Sequence, residues 1–339
     1  MPVRHNSDCR LPIAVGALLL SLLACETLEP LMPATTEGLL ATLQGHTDTV
    51  TCVAFSPDAI TLASSSLDTT VRLWDVATGE EVVTLGGHHI QANTVTFSPD
   101  GTLLALASPK SVIMWDVATG AEQRRWDGFE TRMQTVAFSP DGTMLAAGSG
   151  DPFRSMRIEY AVWLWNVATG ELEAMLQERE FATVWGIAFS PDGTTLASGN
   201  GGGITLWDVA TREVRASLSR DAISRVAFSP DGTWLASGSD SGSVRLWDMA
   251  THEEQFTLVK HDGIVYALAF SPDGKILASG GQDGVVRLWN VATGDALAAL
   301  RVPQTWVTSV AFSPDGSLLA SGGSDRLIRL WDVAQVLER

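Results

Sequence analysis

The sequence predicts an all-β protein in which seven sheets of four antiparallel strands stand as blades around a ring. Three observations carry this. The string Phe-Ser-Pro-Asp recurs seven times, at Phe55, Phe97, Phe138, Phe189, Phe228, Phe270 and Phe312. Trp followed by Asp or Asn also recurs seven times, at Trp74, Trp115, Trp165, Trp207, Trp247, Trp289 and Trp331. By subtraction, the tryptophans are 41, 50, 42, 40, 42 and 42 residues apart. Two markers in phase at a period near 40 residues are the sequence signature of a propeller blade. At 339 residues and 45% apolar composition, one large closed domain with an ample core is expected.

The chain begins with a polar stretch carrying Arg4 and Arg10, then the apolar run from Leu11 to Ala24, then Cys25. A short apolar run behind a positive start has the layout of a secretory signal and is too short to span a bilayer comfortably. Leu22-Leu23-Ala24-Cys25 resembles the bacterial lipobox, whose cysteine becomes acylated and N-terminal after cleavage. That resemblance implies residues 1–24 as signal peptide, Cys25 as the lipidation site carrying palmitate-type chains, and a lipoprotein facing the extracytoplasmic side of the cell envelope. An ordinary signal peptide or an uncleaved anchor, with a secreted product in the first case, is the alternative. Residues 25–37, rich in Pro, Thr and Glu, read as a tether. Residues 38–339 are the propeller.

Within a repeat the residues dictate the strands, and blade 5 shows how. Ser224-Arg-Val-Ala-Phe228 is β-branched and aromatic enough for a strand. Ser229-Pro-Asp-Gly232 is a turn, in which Pro presets φ and Gly accepts the positive φ that follows. Trp234 to Gly238 forms the second strand, Ser243 to Trp247 the third, and a fourth is expected near Glu254 to Leu258. Blade 1 has Ala59 where the other turns have Gly, so strain or an altered turn is expected there. The last repeat supplies three strands. Upstream of the first, Leu39 to Leu43 followed by His46 matches the fourth-strand pattern of Val82 to His88. The N-terminal strand should therefore complete the last blade and leave no open edge between first and last blades.

These repeats resemble WD40 repeats from Gly38 to Asp332. The resemblance implies a buried hydrogen-bond network in each blade, made by a His, a Ser or Thr, an Asp and the Trp of the third strand. Carried over residue by residue, blade 1 has His46, Ser64, Asp68 and Trp74, and blade 6 has His261, Ser279, Asp283 and Trp289. Blade 7 keeps Ser321, Asp325 and Trp331 with Pro303 at the His position; blade 2 keeps His88 and Trp115; blades 3, 4 and 5 lack the His.

The function classes narrow from here. With 39 acidic and 22 basic side chains the formal net charge is −17, which argues against nucleic acid, whose phosphates demand a basic footprint. Three cysteines, Cys9, Cys25 and Cys52, form neither a disulfide framework nor a zinc-ligand spacing. The His, Ser and Asp of blades 1 and 6 invite comparison with a hydrolase triad, but they fall twice at packing positions, and no Gly-x-Ser-x-Gly elbow occurs. His88-His89 reads as a network residue followed by a loop residue rather than a metal pair. The aspartates of the turns are spread around the ring and are explained by turn formation without calcium. Arg72, Arg245, Arg287 and Arg329, each two residues before its Trp, read as partners of carboxylates or cover for the indoles. No cofactor, no metal and no enzymatic activity are expected.

Function should lie where the repeat is broken. In blade 3 the turn between the second and third strands is replaced by an insertion carrying Phe153, Arg154, Met156, Arg157 and Tyr160, types enriched at protein interfaces. The inner strands begin mostly with small or polar residues such as Thr49, Thr51, Gln91, Asn93 and Ser224; the exceptions are Arg132, Trp185, Ile264, Tyr266 and Trp306. Aromatic side chains around a channel mouth are binding anchors or fill gaps between blades. The expected function is a monomeric, non-catalytic scaffold that displays loops to other proteins, bound to a membrane through its N-terminal lipid alone. A propeller enzyme or small-ligand binder using the central channel is the alternative.

Overall fold

The structure, a computed structural model, describes residues 36–85, 91–150, 160–178, 183–219, 221–258, 261–302 and 305–338. The signal, Cys25 and most of the tether lie outside these residues, as do His88, His89, Pro303 and the insertion residues Phe153, Arg154, Met156 and Arg157.

The chain forms seven four-stranded antiparallel sheets, as expected. Blade 5 has strands Ile223–Phe228, Trp234–Ser239, Val244–Asp248 and Glu254–Leu258, from the inside outward. The other blades repeat this order. Blade 7 takes Val307–Phe312, Leu318–Gly323 and Ile328–Asp332 from the C-terminal end and Leu39–Leu43 from the N-terminal end, the last pairing antiparallel with Ile328–Asp332. A short helix, Val333–Leu337, is capped by the Asp332 carboxylate, which accepts from Gln335 N. Among the described residues no helix is long and apolar enough to cross a membrane.

Each turn marker has a mechanical reason. In Ser-Pro-Asp-Gly the Ser hydroxyl is held by the Asp carboxylate and itself accepts from the N–H that opens the second strand: Ser229 Oγ lies 2.6 Å from Asp231 Oδ1, and Trp234 N donates to Ser229 Oγ at 2.9 Å. The aspartates are thus spent on their own turns. Ala59 adopts φ 61°, the conformation that Gly101 and its equivalents adopt, and its N–H still donates to Ser56 O at 2.9 Å. The turn is kept, with left-handed strain of about 1–2 kcal/mol at this alanine.

The core is distributed between blades. Seven clusters of buried residues each join the face of one sheet to the opposing face of the next. The seam where the chain ends meet is one of them, with Leu43, Ile328 and Leu330 of blade 7 against Val50, Leu62 and Trp74 of blade 1. Near the axis the sheets approach so closely that a Cβ on Gly280 would lie 2.5 Å from the Val307 side chain. All seven tryptophans of the Trp-Asp/Asn series are buried.

Candidate functional site

The site is built by a repeated irregularity in the inner strands. In six blades the pairing of the inner strand with the second strand slips by one residue near its start, between Val50 and Cys52, Met133 and Thr135, Val184 and Gly186, Ile223 and Arg225, Val265 and Ala267, and Val307 and Ser309. A bulge re-aims the skipped side chain. Here the skipped residues are Thr51, Gln134, Trp185, Ser224, Tyr266 and Thr308, and all six line one cavity of about 530 Å³ at the mouth of the channel. Asn93 lines it for blade 2, and Thr49, Leu67, Arg225, Asp240, Ile264 and Trp306 complete the wall.

The small polar members of this set stitch the ring together. Thr51 Oγ1 donates to Ala92 O at 2.6 Å, Asn93 Nδ2 to Met133 O at 2.8 Å, and Ser224 Oγ to Val265 O at 2.5 Å. Thr308 Oγ1 donates to Val50 O across the closing seam. Each bond runs from one blade to the backbone of the next. Trp185 and Tyr266 occupy the same position without making that bond. At blade 4 the stitch is made from the other side, by Arg225 Nη1 donating to Trp185 O at 3.0 Å. The Tyr266 ring lies 6.0 Å from that of Trp306, tilted by 30°, and Trp306 is 48% exposed. The mouth therefore has an aromatic wall (Trp185, Ile264, Tyr266, Trp306) facing a polar wall of hydroxyls and amides.

Arg225 is the residue that the sequence reading passed over. It lies one residue deeper than the bulge, where the other inner strands carry Cys52, Thr94, Thr135, Gly186, Ala267 and Ser309. Its charge acts on the Cys52 thiol, the Tyr266 hydroxyl and Asp240. Burial lowers its own pKa from the guanidinium value, but arginine stays charged in proteins. Arg132, by contrast, stands at the rim, donating to Gln91 Oε1 at 3.4 Å, and does not line the cavity. Tyr160 corrects the expectation of an exposed loop contact. It is 8% exposed, at the threshold of the third strand Ala161–Asn166, and its carbonyl accepts from Glu178 N, so its ring is core and not recognition surface.

The predicted structural set forms two connected chains. In blade 1, Trp74 Nε1 donates to Ser64 Oγ at 2.8 Å, Ser64 Oγ lies 2.7 Å from His46 Nε2, and His46 Nδ1 lies 2.9 Å from Asp68 Oδ2. In blade 6, Trp289, Ser279, His261 and Asp283 repeat this at 2.9, 2.8 and 3.0 Å. The four residues of each chain share one consistent polarity: indole to hydroxyl, hydroxyl to Nε2, and Nδ1–H to carboxylate; in blade 6 Arg287 Nη1 also lies 2.6 Å from His261 Nδ1 and donates to Asp283 Oδ2. This polarity requires neutral imidazoles, and burial does lower the pKa of both histidines. Burial would raise Asp68, but hydrogen bonds from Thr70, Thr47 and His46 outweigh it and bring its carboxyl to about 2. The serines are fully buried and saturated, so they offer no nucleophile.

Blade 4 hides a third version. Glu178, 7% exposed, accepts from Ser198 Oγ at 2.5 Å and Thr205 Oγ1 at 2.9 Å, and Trp207 Nε1 donates to the same Ser198 at 2.9 Å. Burial raises its pKa. The arginines two residues before each Trp pair with carboxylates: Arg72 with Glu81, Arg245 with Asp221, Arg287 with Asp283 and Arg329 with Asp325. Among the described residues no three His, Cys, Asp or Glu side chains converge as a metal site.

The comparisons with known proteins agree with this geometry. The WD domain, G-beta repeat family matches seven segments, residues 37–75, 79–116, 120–152, 171–208, 212–248, 252–290 and 294–332. The chain belongs to the WD40 family. WD40 propellers are generally non-catalytic scaffolds that bind other proteins. A stretch of 37 residues is 62% identical to the Notchless protein homolog of Arabidopsis thaliana, covering 11% of this chain and 8% of that protein. Protein Mut11 of Chlamydomonas reinhardtii is likewise 62% identical over 37 residues, 11% of this chain and 10% of its own. The similarity thus spans a tenth or less of these relatives and concerns a single repeat's length of chain.

Proposed function

We propose that this WD40 propeller is a rigid, monomeric scaffold that presents its channel mouth to protein partners, held at a membrane of the cell envelope by acyl chains on Cys25. The observation that carries the first part is the aromatic wall. Trp185 and Tyr266 take positions where the small polar residues tie blade to blade, and Trp306 leaves about half its surface in water. Large aromatics exposed around a concave polar rim are the anchors of protein interfaces. The insertion residues Phe153, Arg154, Met156 and Arg157, which belong to blade 3 and precede Trp185 of blade 4 in ring order, extend this reading, as does Arg132 at the rim.

Crosslinking in the native cell, with Trp185, Tyr266 and Trp306 changed together to Ala, tests the surface. Partner recovery should collapse, and unaltered recovery would sink the reading. For the anchor, a fatty-acid analogue should label the wild type and not Cys25→Ser; label retained by the variant removes the lipoprotein part. A second reading, a small-ligand site, is favoured by the cavity itself, whose volume of about 530 Å³ is in the range of small-molecule sites.

A further inference from the structure

Arginine is an expensive choice at the position of Arg225. The six equivalent positions hold Cys, Thr, Thr, Gly, Ala and Ser, all smaller, and three of them serve the neighbouring blade: Cys52 Sγ donates to Val95 O, while Thr94 Oγ1 and Ser309 Oγ accept from Val136 N and Val53 N. At this position the Arg225 guanidinium lines the cavity together with Trp185, Tyr266 and Trp306. The blade-stitching bond to Trp185 O does not require this residue, since Thr51, Asn93 and Ser224 make such bonds with small side chains elsewhere.

What Arg225 lacks is a counter-ion. The four arginines of the third strands each have a carboxylate within ion-pair distance. Among the described residues Arg225 has none; its Nη1 donates to the carbonyls of Trp185 and Ser224 at 3.0 and 2.7 Å, and no hydrogen bond is formed by Nε or Nη2. Asp240 lines the same cavity and feels the charge, but from beyond ion-pair reach. The protein as a whole carries a formal charge of −17. A positive, carbonyl-braced group in the wall of a cavity lined by aromatic side chains is thus a local inversion of the molecule's charge, in a site of lowered dielectric where a charge-assisted hydrogen bond is strong.

We propose that the channel cavity binds a carboxylate with an apolar neighbour, the carboxylate on Arg225 and the apolar part against Trp185, Tyr266 and Trp306, and that partner polypeptides supply this pair as an apolar C-terminal residue. A chain end fits this arrangement, because its terminal carboxylate can reach Arg225 beside the aromatic side chains while the preceding residues leave through the mouth. This rests on the scaffold reading given above and adds to it the chemistry that is recognised.

The test uses the propeller's own tryptophans as reporters. Short peptides ending in Leu-Phe are titrated as the free acid and as the C-terminal amide, alongside an amidated peptide with an internal Asp-Leu and free N-acetyl-phenylalanine. The free-acid peptide should bind about ten- to a hundredfold more tightly than its amide, and Arg225→Gln should erase that ratio without changing the far-UV spectrum. Arg225→Lys, which keeps the charge but not the planar fork, should retain part of it. Trp306→Ala should weaken both peptides and leave their ratio intact. Equal binding of acid and amide to the wild-type protein, which needs no variant to interpret, overturns the proposal. So does a free-acid advantage that survives in Arg225→Gln. Preference for the internal Asp-Leu peptide, or for N-acetyl-phenylalanine over the free-acid peptide, overturns the chain-end source. If the carboxylate preference fails while the triple aromatic variant still loses its crosslinked partner, the scaffold reading stands without this inference.

Discussion

Blades 6 and 4 tie the same tryptophan to the same serine and then place opposite chemistry behind that serine. In blade 6 the Ser279 hydroxyl leans on a neutral base, His261, which is held by the ionised Asp283. In blade 4 the Ser198 hydroxyl leans on an acid, Glu178, buried without a cation in ion-pair contact among the described residues. Both arrangements satisfy the indole N–H. The acceptor behind the hydroxyl is an imidazole in one blade and a carboxyl in the other, and the choice sets how the blade responds to acid.

The largest effect should come from removing the end of the blade 6 chain. Asp283→Ala leaves the His261 Nδ1–H and the Arg287 guanidinium, both nearly buried, without their carboxylate. Breaking one side of such a buried set costs about 3 kcal/mol or more, readable as a lower denaturant midpoint.

A smaller, paired measurement asks whether the third member matters. Ser279→Ala strands both the Trp289 indole and the His261 ring, whereas Ser237→Ala in blade 5 strands the Trp247 indole, the sole side-chain partner of Ser237 among the described residues. Losses of about 2 and about 1 kcal/mol are expected. Equal losses would mean that the histidine adds nothing, and that blades 6 and 5 are held alike.

The same contrast explains what could be seen in the sequence. The ring, its count and its closure were legible because two markers recur in phase, and because Leu39–Leu43 carries the outer-strand pattern far from its partner Ile328–Asp332. Blades 1 and 6 were legible because His, Ser, Asp and Trp keep their spacing. Glu178 was not: it stands two residues past Leu176 of its outer strand where His46 stands three past Leu43, and it is of another chemical type. Arg225 was hidden by the bulge, which puts it one step below the rim, and by the ring itself. The thiol and carboxyl that feel its charge, at Cys52 and Asp240, belong to blades 1 and 5 and have no sequence relation to one another. Tyr160 misled because an insertion reads as exposed loop up to its last residue, while the strand that follows begins to bury side chains one position earlier.

The smallest effect is the most diagnostic, because its sign is opposite in the two blades. Asp283 has its folded pKa below the ordinary carboxylate value, and His261 has its own below the imidazole value. For both, the unfolded chain takes up protons first, so their contribution is complete above pH 6.5 and is lost as the pH falls through 6.5 and then 3.8. Glu178 has its folded pKa raised by burial, against the pull of Ser198 and Thr205. Here the folded protein holds its proton more tightly than the unfolded chain, so stability is lost as the pH rises from 4.5 through the folded value. Glu178→Gln keeps an acceptor for Ser198 and removes the buried charge. It should therefore be more stable than the wild type at pH 7, by on the order of 1 kcal/mol, with the advantage fading as the pH falls from the folded value toward 4.5. Denaturant midpoints of both proteins across pH 4 to 8 measure this directly. A Gln variant that is less stable at pH 7, or an advantage that grows toward acid, would show that Glu178 is held ionised by its hydroxyls, and that blades 4 and 6 answer to acid in the same way.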